Sequence, residues 1–373
     1  MSKMKKNLYL GINKDISCLI IFLFLQMGHV NASSHYDFKS NGIFYAIKSN
    51  TEVIVTSEGD LKKAYKGKVV IPSTVSYGGK IYNVTEIGKC AFLACKSLNS
   101  VVIPSSIKII GSEAFMNCSS LTKVSLSDGL VAILYGAFRD CPLKSINFPS
   151  SVRLIESRAF QNTNLTKVRL PDGLKEIHSE AFSNCHYLVS VYLPDGIKKL
   201  NDTFIGCTSL NYVRLPNTLV SMWKAFAGCT SLTSIAIPNS VECLFHGTFQ
   251  DCTALNSVIL PENLKLIGPL AFKGCISLET INLPHNAKVD NGAFLGCYSL
   301  RSVKAYKGQR ISNTAFKGCD KVKMQWINKE SNTSNNGKLP PYEQENGEDT
   351  IVIQDNTDLL DTLYSQQNLK KIK

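Results

Sequence analysis

The sequence has few of the residue patterns that carry chemistry. No Gly-x-Ser-x-Gly elbow, Gly-rich phosphate loop or Cys-x-x-Cys pair occurs in its 373 residues. Those absences remove the usual signatures of a serine hydrolase, a nucleotide-phosphate cradle and a redox dithiol. His35, His178, His186, His246 and His285 form no His-x-x-x-His pair and share no common spacing, so no zinc-type ligand set is spelled out. Each reads as a structural or surface residue. Charged residues make up only 19% of the chain, somewhat low for a folded protein. Beyond residue 32 no apolar run approaches the ~20 residues of a spanning helix. The expectation is a protein that is not an enzyme and takes no cofactor and no metal.

What is present begins with an N-terminal leader. Lys3, Lys5, Lys6 and Lys14 precede a short apolar run, Ile16 to Leu25, and Val30-Asn31-Ala32 follows as a small-x-small pattern. This is the layout of a secretory signal peptide over residues 1–32, cleaved after Ala32. The run is too short to span a bilayer. An uncleaved anchor is the alternative. Cys18 stands at the head of the run rather than after it, unlike a lipid-attachment cysteine. The expected location is secreted or cell-surface, with no membrane span after cleavage.

Charge is unevenly placed. The net charge is +12 for the whole chain, yet from Glu343 to Asp361 there are seven acids and no Lys or Arg. A basic middle points either to acidic partners or simply to solubility.

The strongest signal is a repeat. An Ala-Phe or Thr-Phe pair places Phe at 92, 115, 138, 160, 182, 204, 226, 249, 272, 294 and 316, each 22 or 23 residues after the last. A Cys follows three residues later in every unit but one, where Thr163 stands. Then come Leu, two variable residues, Val or Ile, one variable residue and an aliphatic residue, often with Pro next. Leu-x-x-Val-x-Leu holds a short alternating strand, and Pro ends it because Pro has no amide to donate. The chain then returns through an extended segment to the next Ala-Phe. One unit cannot cover its own apolar face; stacked units cover one another. Phe115, Phe138, Phe160, Phe182, Phe204, Phe226, Phe249, Phe272 and Phe294 are thus expected in one interior column. Coils at the sheet spacing of about 4.8 Å give a rod on the order of 50 Å long.

The unit Ala-Phe-x-x-Cys-x-Ser-Leu-x-x-Val-x-Leu-Pro resembles the leucine-rich repeats of BspA-type bacterial surface proteins. The N-terminal flank, with Asn41-Gly42, Glu52 to Thr56 and Val70 to Val75, is similar to the β-rich cap before such repeats. The resemblance covers about residues 36–327. It implies a right-handed, β-rich leucine-rich-repeat solenoid with a parallel concave sheet, short turns or 3-10 segments on the convex side and an N-terminal β-hairpin cap. It also implies export, with adhesion, host-protein binding or co-aggregation as the functions of the group, and no catalytic motif to transfer. The domains are expected as cap 33–85, solenoid 86–327 of about 11 repeats, and an acidic, disordered tail 328–373. Asn41-Gly42 and Gly78-Gly79 mark hairpin turns.

The ladder cysteines read as reduced, buried, small hydrophobes, although stacked neighbours lie within range of a bridge. Cys90 and Cys243 lie off the ladder. The sequons at Asn83, Asn117, Asn164, Asn201 and Asn332 matter only if a eukaryote secretes the chain. The residues flanking the central Val of each strand point outward. Three consecutive coils thereby bring together Lys167, Arg169, Tyr192, Tyr212 and Arg214. Tyr and Arg are the types enriched at binding hot spots, and they suit sugar rings or anions. The cluster is either a ligand-binding site or chance on a solvated sheet. The resulting expectation is an adhesin-like binder of host or microbial protein or glycan, anionic ligands included, and not of nucleic acid. The alternative is a structural spacer or envelope scaffold with the C-terminal tail as its docking element.

Overall fold

The computed structural model describes residues 36–59 and 65–328. The expected leader with Cys18, His35, the expected acidic tail and Asn332 lie outside the described residues. The chain opens with β1 (Phe38–Ser40), β2 (Ile43–Ile47), β3 (Glu52–Thr56), β4 (Gly67–Val70), β5 (Thr74–Tyr77) and β6 (Lys80–Ile87). β1 and β2 pair antiparallel around Asn41 and Gly42, whose φ angles are 46° and 79°. Gly78 and Gly79, at 57° and 74°, do the same between β5 and β6. Two consecutive left-handed residues match the right-handed twist of the flanking strands, which is why Asn-Gly and Gly-Gly stand there. β3 lies antiparallel to β2 and parallel to β6.

Beyond β6 the chain is a β-solenoid, and no helix occurs among the described residues. The Leu-x-x-Val-x-Leu segments form the first sheet. Its strands are β7 (Leu98–Val102), β9 (Lys123–Ser125), β12 (Lys167–Arg169), β14 (Ser190–Tyr192), β16 (Tyr212–Arg214), β18 (Ser234–Ala236), β20 (Ser257–Ile259), β22 (Thr280–Asn282), β24 (Ser302–Tyr306) and β25 (Lys323–Ile327). The return path, expected only as an extended segment, forms a second parallel sheet. It contains β8 (Ile109–Ile110), β10 (Ala132–Ile133), β11 (Leu154–Ile155), β13 (Glu176–Ile177), β15 (Lys199–Asn201), β17 (Ser221–Trp223), β19 (Cys243–Leu244), β21 (Leu266–Ile267) and β23 (Lys288–Val289). Within each segment a strand pairs with its counterpart one coil on, as in β12–β14–β16 and β15–β17–β19–β21–β23, and the second sheet is interrupted between β13 and β15. β4 joins the first sheet beside β7, and β6 leads the second sheet beside β8.

The first sheet is segmented. Ser145 and Asn147, expected on either side of the central Ile146 of a strand, lie in a segment that forms no strand. There Pro142, between Cys141 and Leu143, has no amide to give.

The third side of each coil is a stack of turns. The amide of Phe115 donates to Ala137 O at 2.8 Å and that of Phe138 to Ala159 O at 2.8 Å, so the turns form a backbone ladder of their own. From Phe92 to Phe294 each turn bends twice through left-handed residues. One bend falls two residues after Phe, at Asn117, Asp140, Asn162, Asn184, Gly206 and Gly228 among others. Gly, Asn and Asp tolerate that region best, which explains the composition of this slot.

The interior is built from columns. Phe92 through Phe294 are fully buried, and Phe316 at the end of the column is partly so. Successive rings stack near-parallel, from 4.7 Å at Phe92–Phe115 to 5.8 Å at Phe182–Phe204. Translation by one coil repeats each ring over the last, so ring spacing follows sheet spacing. Tyr65 extends the column into the cap, 4.2 Å from Phe92.

The cysteine column does more than fill space. From Cys118 onward each ladder thiol donates to the Phe carbonyl one coil back, as in Cys118 to Phe92 O at 3.0 Å, Cys207 to Phe182 O at 3.1 Å and Cys319 to Phe294 O at 3.1 Å. Thr163 keeps a donor in the slot: its hydroxyl bonds Phe160 O at 3.0 Å. All twelve described cysteines are free thiols.

Candidate ligand-binding face

The five residues singled out by sequence lie on β12, β14 and β16, neighbours in one three-stranded parallel sheet. Val168, Val191 and Val213 pair across the strands and face the core. Alternation then turns the flanking residues outward. Arg169, Tyr192 and Arg214 form one row in register, and Lys167, Ser190 and Tyr212 form the other. Lys167, Arg169, Tyr192, Tyr212 and Arg214 are all exposed. Ser190 is buried, because its small side chain sits between the longer Lys167 and Tyr212. It is the floor of a notch rather than an outward contact.

Tyr192 and Tyr212 stand diagonally across adjacent strands with ring centroids 5.6 Å apart and planes tilted by 49°. They are 40% and 49% exposed, so each ring keeps nearly half its surface for a partner. The cations flanking them are unneutralised. Lys167, Arg169 and Arg214 enter no ion pair among the described residues. The two outward rows of the first sheet, Ser100 to Lys323 and Val102 to Gln325, contain no Asp or Glu. The charged side chains of these two rows are therefore all cationic.

Val189 belongs beside the site and escaped the sequence reading. Its carbonyl accepts the amides of Asn211 and Tyr212, and its side chain is 37% exposed. In the coils around it this position holds Thr166 and Asn211, so an exposed Val is the signal that was available.

Elsewhere burial raises several of the ladder thiols. Burial pushes the Cys95 thiol up to about 11 and that of Cys275 to about 12, and drives Cys252 well above the ordinary thiol range. His178 Nε2 lies 3.1 Å from Glu176, which raises the imidazole and lowers the carboxyl. His246 is lowered by burial, with Lys224 adding to the effect. Among the described residues no three His, Cys, Asp or Glu come together as a metal cluster.

Six copies of the BspA type leucine rich repeat region match residues 85–204 and 222–336, more than half of the chain. The chain belongs to this family. BspA-type repeats form typically non-catalytic scaffolds, and the family is associated with protein interaction and with cell-surface or secreted proteins. Among solved structures, a leucine-rich repeat protein from Bacteroides ovatus is similar at 25% identity, over 78% of this chain and 100% of that one, with a TM-score of 0.44. A T. pallidum leucine-rich repeat protein is 34% identical over 52% of this chain and 90% of that one, with a TM-score of 0.47. A leucine rich cell surface protein from Faecalibacterium prausnitzii is 21% identical over 79% and 95%, with a TM-score of 0.40. No curated protein matches the chain. No helix among the described residues is long and apolar enough to cross a membrane.

Proposed function

We propose that this BspA-type protein is an exported, adhesin-like binder that holds a protein or glycan ligand on the outward face of its first sheet. The observation that carries the reading is the in-register row Arg169–Tyr192–Arg214 with Tyr212 leaning on Tyr192, in two outward rows without a carboxylate. Rigid aromatic rings supply contact area at low entropic cost, and fixed guanidinium groups supply bidentate donors to carboxylate, sulfate or phosphate oxygens. An anionic glycan or an acidic protein surface fits that pairing. The leader read from residues 1–32 and the surface location typical of the family both favour a ligand met outside the cytoplasm.

The test is binding of residues 33–373 to an array of host extracellular proteins and anionic and neutral glycans, beside the Tyr192→Ala/Tyr212→Ala/Arg214→Ala variant. A hot spot of ~2 kcal/mol or more corresponds to a loss of about thirtyfold or greater in affinity. Equal binding by both proteins to every ligand would sink the assignment of the site.

A further inference from the structure

The two ends of the solenoid are finished differently. At the start, the β1–β2 hairpin and β3 cover the open edge of the second sheet. At the other end β25 is the last strand of the first sheet, and among the described residues no strand pairs with its outer edge. β25 is as long as β24, and the two pair over five residues from Lys323 to Ile327, against three in the middle coils. Its last two side chains, Trp326 and Ile327, are 42% and 40% exposed. An open edge of this length beside apolar side chains is a template for added chain, and folded proteins keep such edges covered.

Charge says what covers it. Between residues 298 and 328 stand Arg301, Lys304, Lys307, Arg310, Lys317, Lys321 and Lys323, with Asp320 as the single acid. All seven cations are exposed, and none enters an ion pair among the described residues. The chain continues from Asn328, and within it residues 343–361 carry seven acids and no Lys or Arg. The same stretch contains Ile351-Val352-Ile353, an apolar triplet to set against Trp326 and Ile327. Fourteen residues separate Asn328 from Glu343, enough chain at up to ~3.3 Å per residue to fold back over the last coil.

We propose that residues 343–361 dock on the open C-terminal end of the same molecule's solenoid, over the β25 edge, Trp326 and the surrounding cations. The occupant is intramolecular because the tether keeps the acidic segment at high effective concentration beside the end it complements. Docking closes the last coil, as the hairpin closes the first, and removes the edge on which a second solenoid would stack.

Trp326 reports on this directly. With Trp223→Phe in residues 33–373, Trp326 is the one remaining indole. Its accessibility to the neutral quencher acrylamide is measured in three proteins. These are this parent, a variant with all seven acids of 343–361 changed to Asn or Gln, and a variant with Lys317→Glu, Lys321→Glu and Lys323→Glu. Far-UV circular dichroism confirms the fold of each. The expected result is a Trp326 shielded in the parent and quenched several-fold more readily in both variants. Restoration of shielding by reversing the tail acids to Lys in the charge-swapped background would identify the pairing as direct. Equal quenching in the parent and both folded variants would overturn the proposal. So would a shielding that grows with protein concentration, because the occupant would then be a second copy.

Discussion

Each interior side chain of this solenoid serves two coils, and substitutions should be read in that light. Phe204 lies at 0% exposure between Phe182 at 5.8 Å and Phe226 at 5.7 Å. Phe204→Ala is expected to cost about 3–5 kcal/mol in urea unfolding, as for other buried Phe truncations. A cost under ~1 kcal/mol would mean the slot is not interior. Cys229 tests the thiol ladder. Its Sγ donates to Phe204 O at 3.3 Å. Threonine and valine have nearly the same shape, and only threonine has a donor. Cys229→Thr should therefore be more stable than Cys229→Val by about 1 kcal/mol, the net worth of a hydrogen bond. Equal midpoints would reduce the ladder to packing alone. The off-ladder Cys90 gives a pH prediction. Burial and the neighbouring Glu113, whose carboxylate accepts from the thiol at 3.5 Å, push it up to about 11. Because the thiolate is the nucleophile, iodoacetamide labelling of the folded protein at Cys90 should be slow at neutral pH. It should climb about tenfold per pH unit toward that value. Labelling already at a free-thiol rate at pH 7 would contradict the burial.

At the scale of the element, very short strands persist because coils are bonded to their neighbours on up to three sides: two segmented parallel ladders and the ladder of turns. Isolated two-residue strands such as β8 and β10 would have no stability of their own. The turns set the geometry, and their left-handed residues are the constrained points. Gly228 has φ +73°, and a Cβ there would meet only Gly206, at 3.5 Å from its Cα and 3.6 Å from its N, so space is available and the backbone is the sole obstacle. Gly228→Ala is expected to cost about 1–2 kcal/mol. Gly228→Asn, the residue type of Asn117, Asn162 and Asn184 in the same slot, should recover most of that. Denaturation midpoints of the two variants decide it; an Ala variant as stable as the parent would show that the turn relaxes.

For the whole molecule, stacking turns a periodic chain into two long faces with fixed rows, and the row spacing belongs to the sheet rather than to any one residue. The Arg169–Tyr192–Arg214 row is such a product: three residues from three coils held in register by β12, β14 and β16. If the ligand is anionic, its affinity for residues 33–373 should fall steeply as ionic strength rises. At 1 M salt the Debye length shrinks to about 3 Å. The Arg169→Gln/Arg214→Gln variant should bind more weakly and with a flatter salt dependence. A salt-independent affinity measured by titration calorimetry would move the weight from charge to the tyrosines.

The sequence alone determined the coil. The 22- or 23-residue period of Phe, the Cys three places on and Leu-x-x-Val-x-Leu fix which side chains face inward, because one unit has nothing else to bury them against. Asn41-Gly42 and Gly78-Gly79 fixed the two hairpins, because few other residues take consecutive positive φ angles. The alternation about Val168, Val191 and Val213 was enough to put five candidate residues on one face. Only the tertiary structure decided the rest. The second sheet was hidden because two-residue strands such as Leu154–Ile155 leave no period to read; they exist only through their neighbours. The left-handed bend before Ala-Phe was hidden as well, since Glu113, Arg158, Lys224 and Leu270 share it with Gly136, Gly247 and Gly292 and no one residue type announces it. The burial of Ser190 between Lys167 and Tyr212, the exposure of Val189 beside Tyr212 and the thiol-to-carbonyl bonds all join residues about one coil apart. A linear pattern names the partners in such contacts, and only stacking brings them within reach of one another.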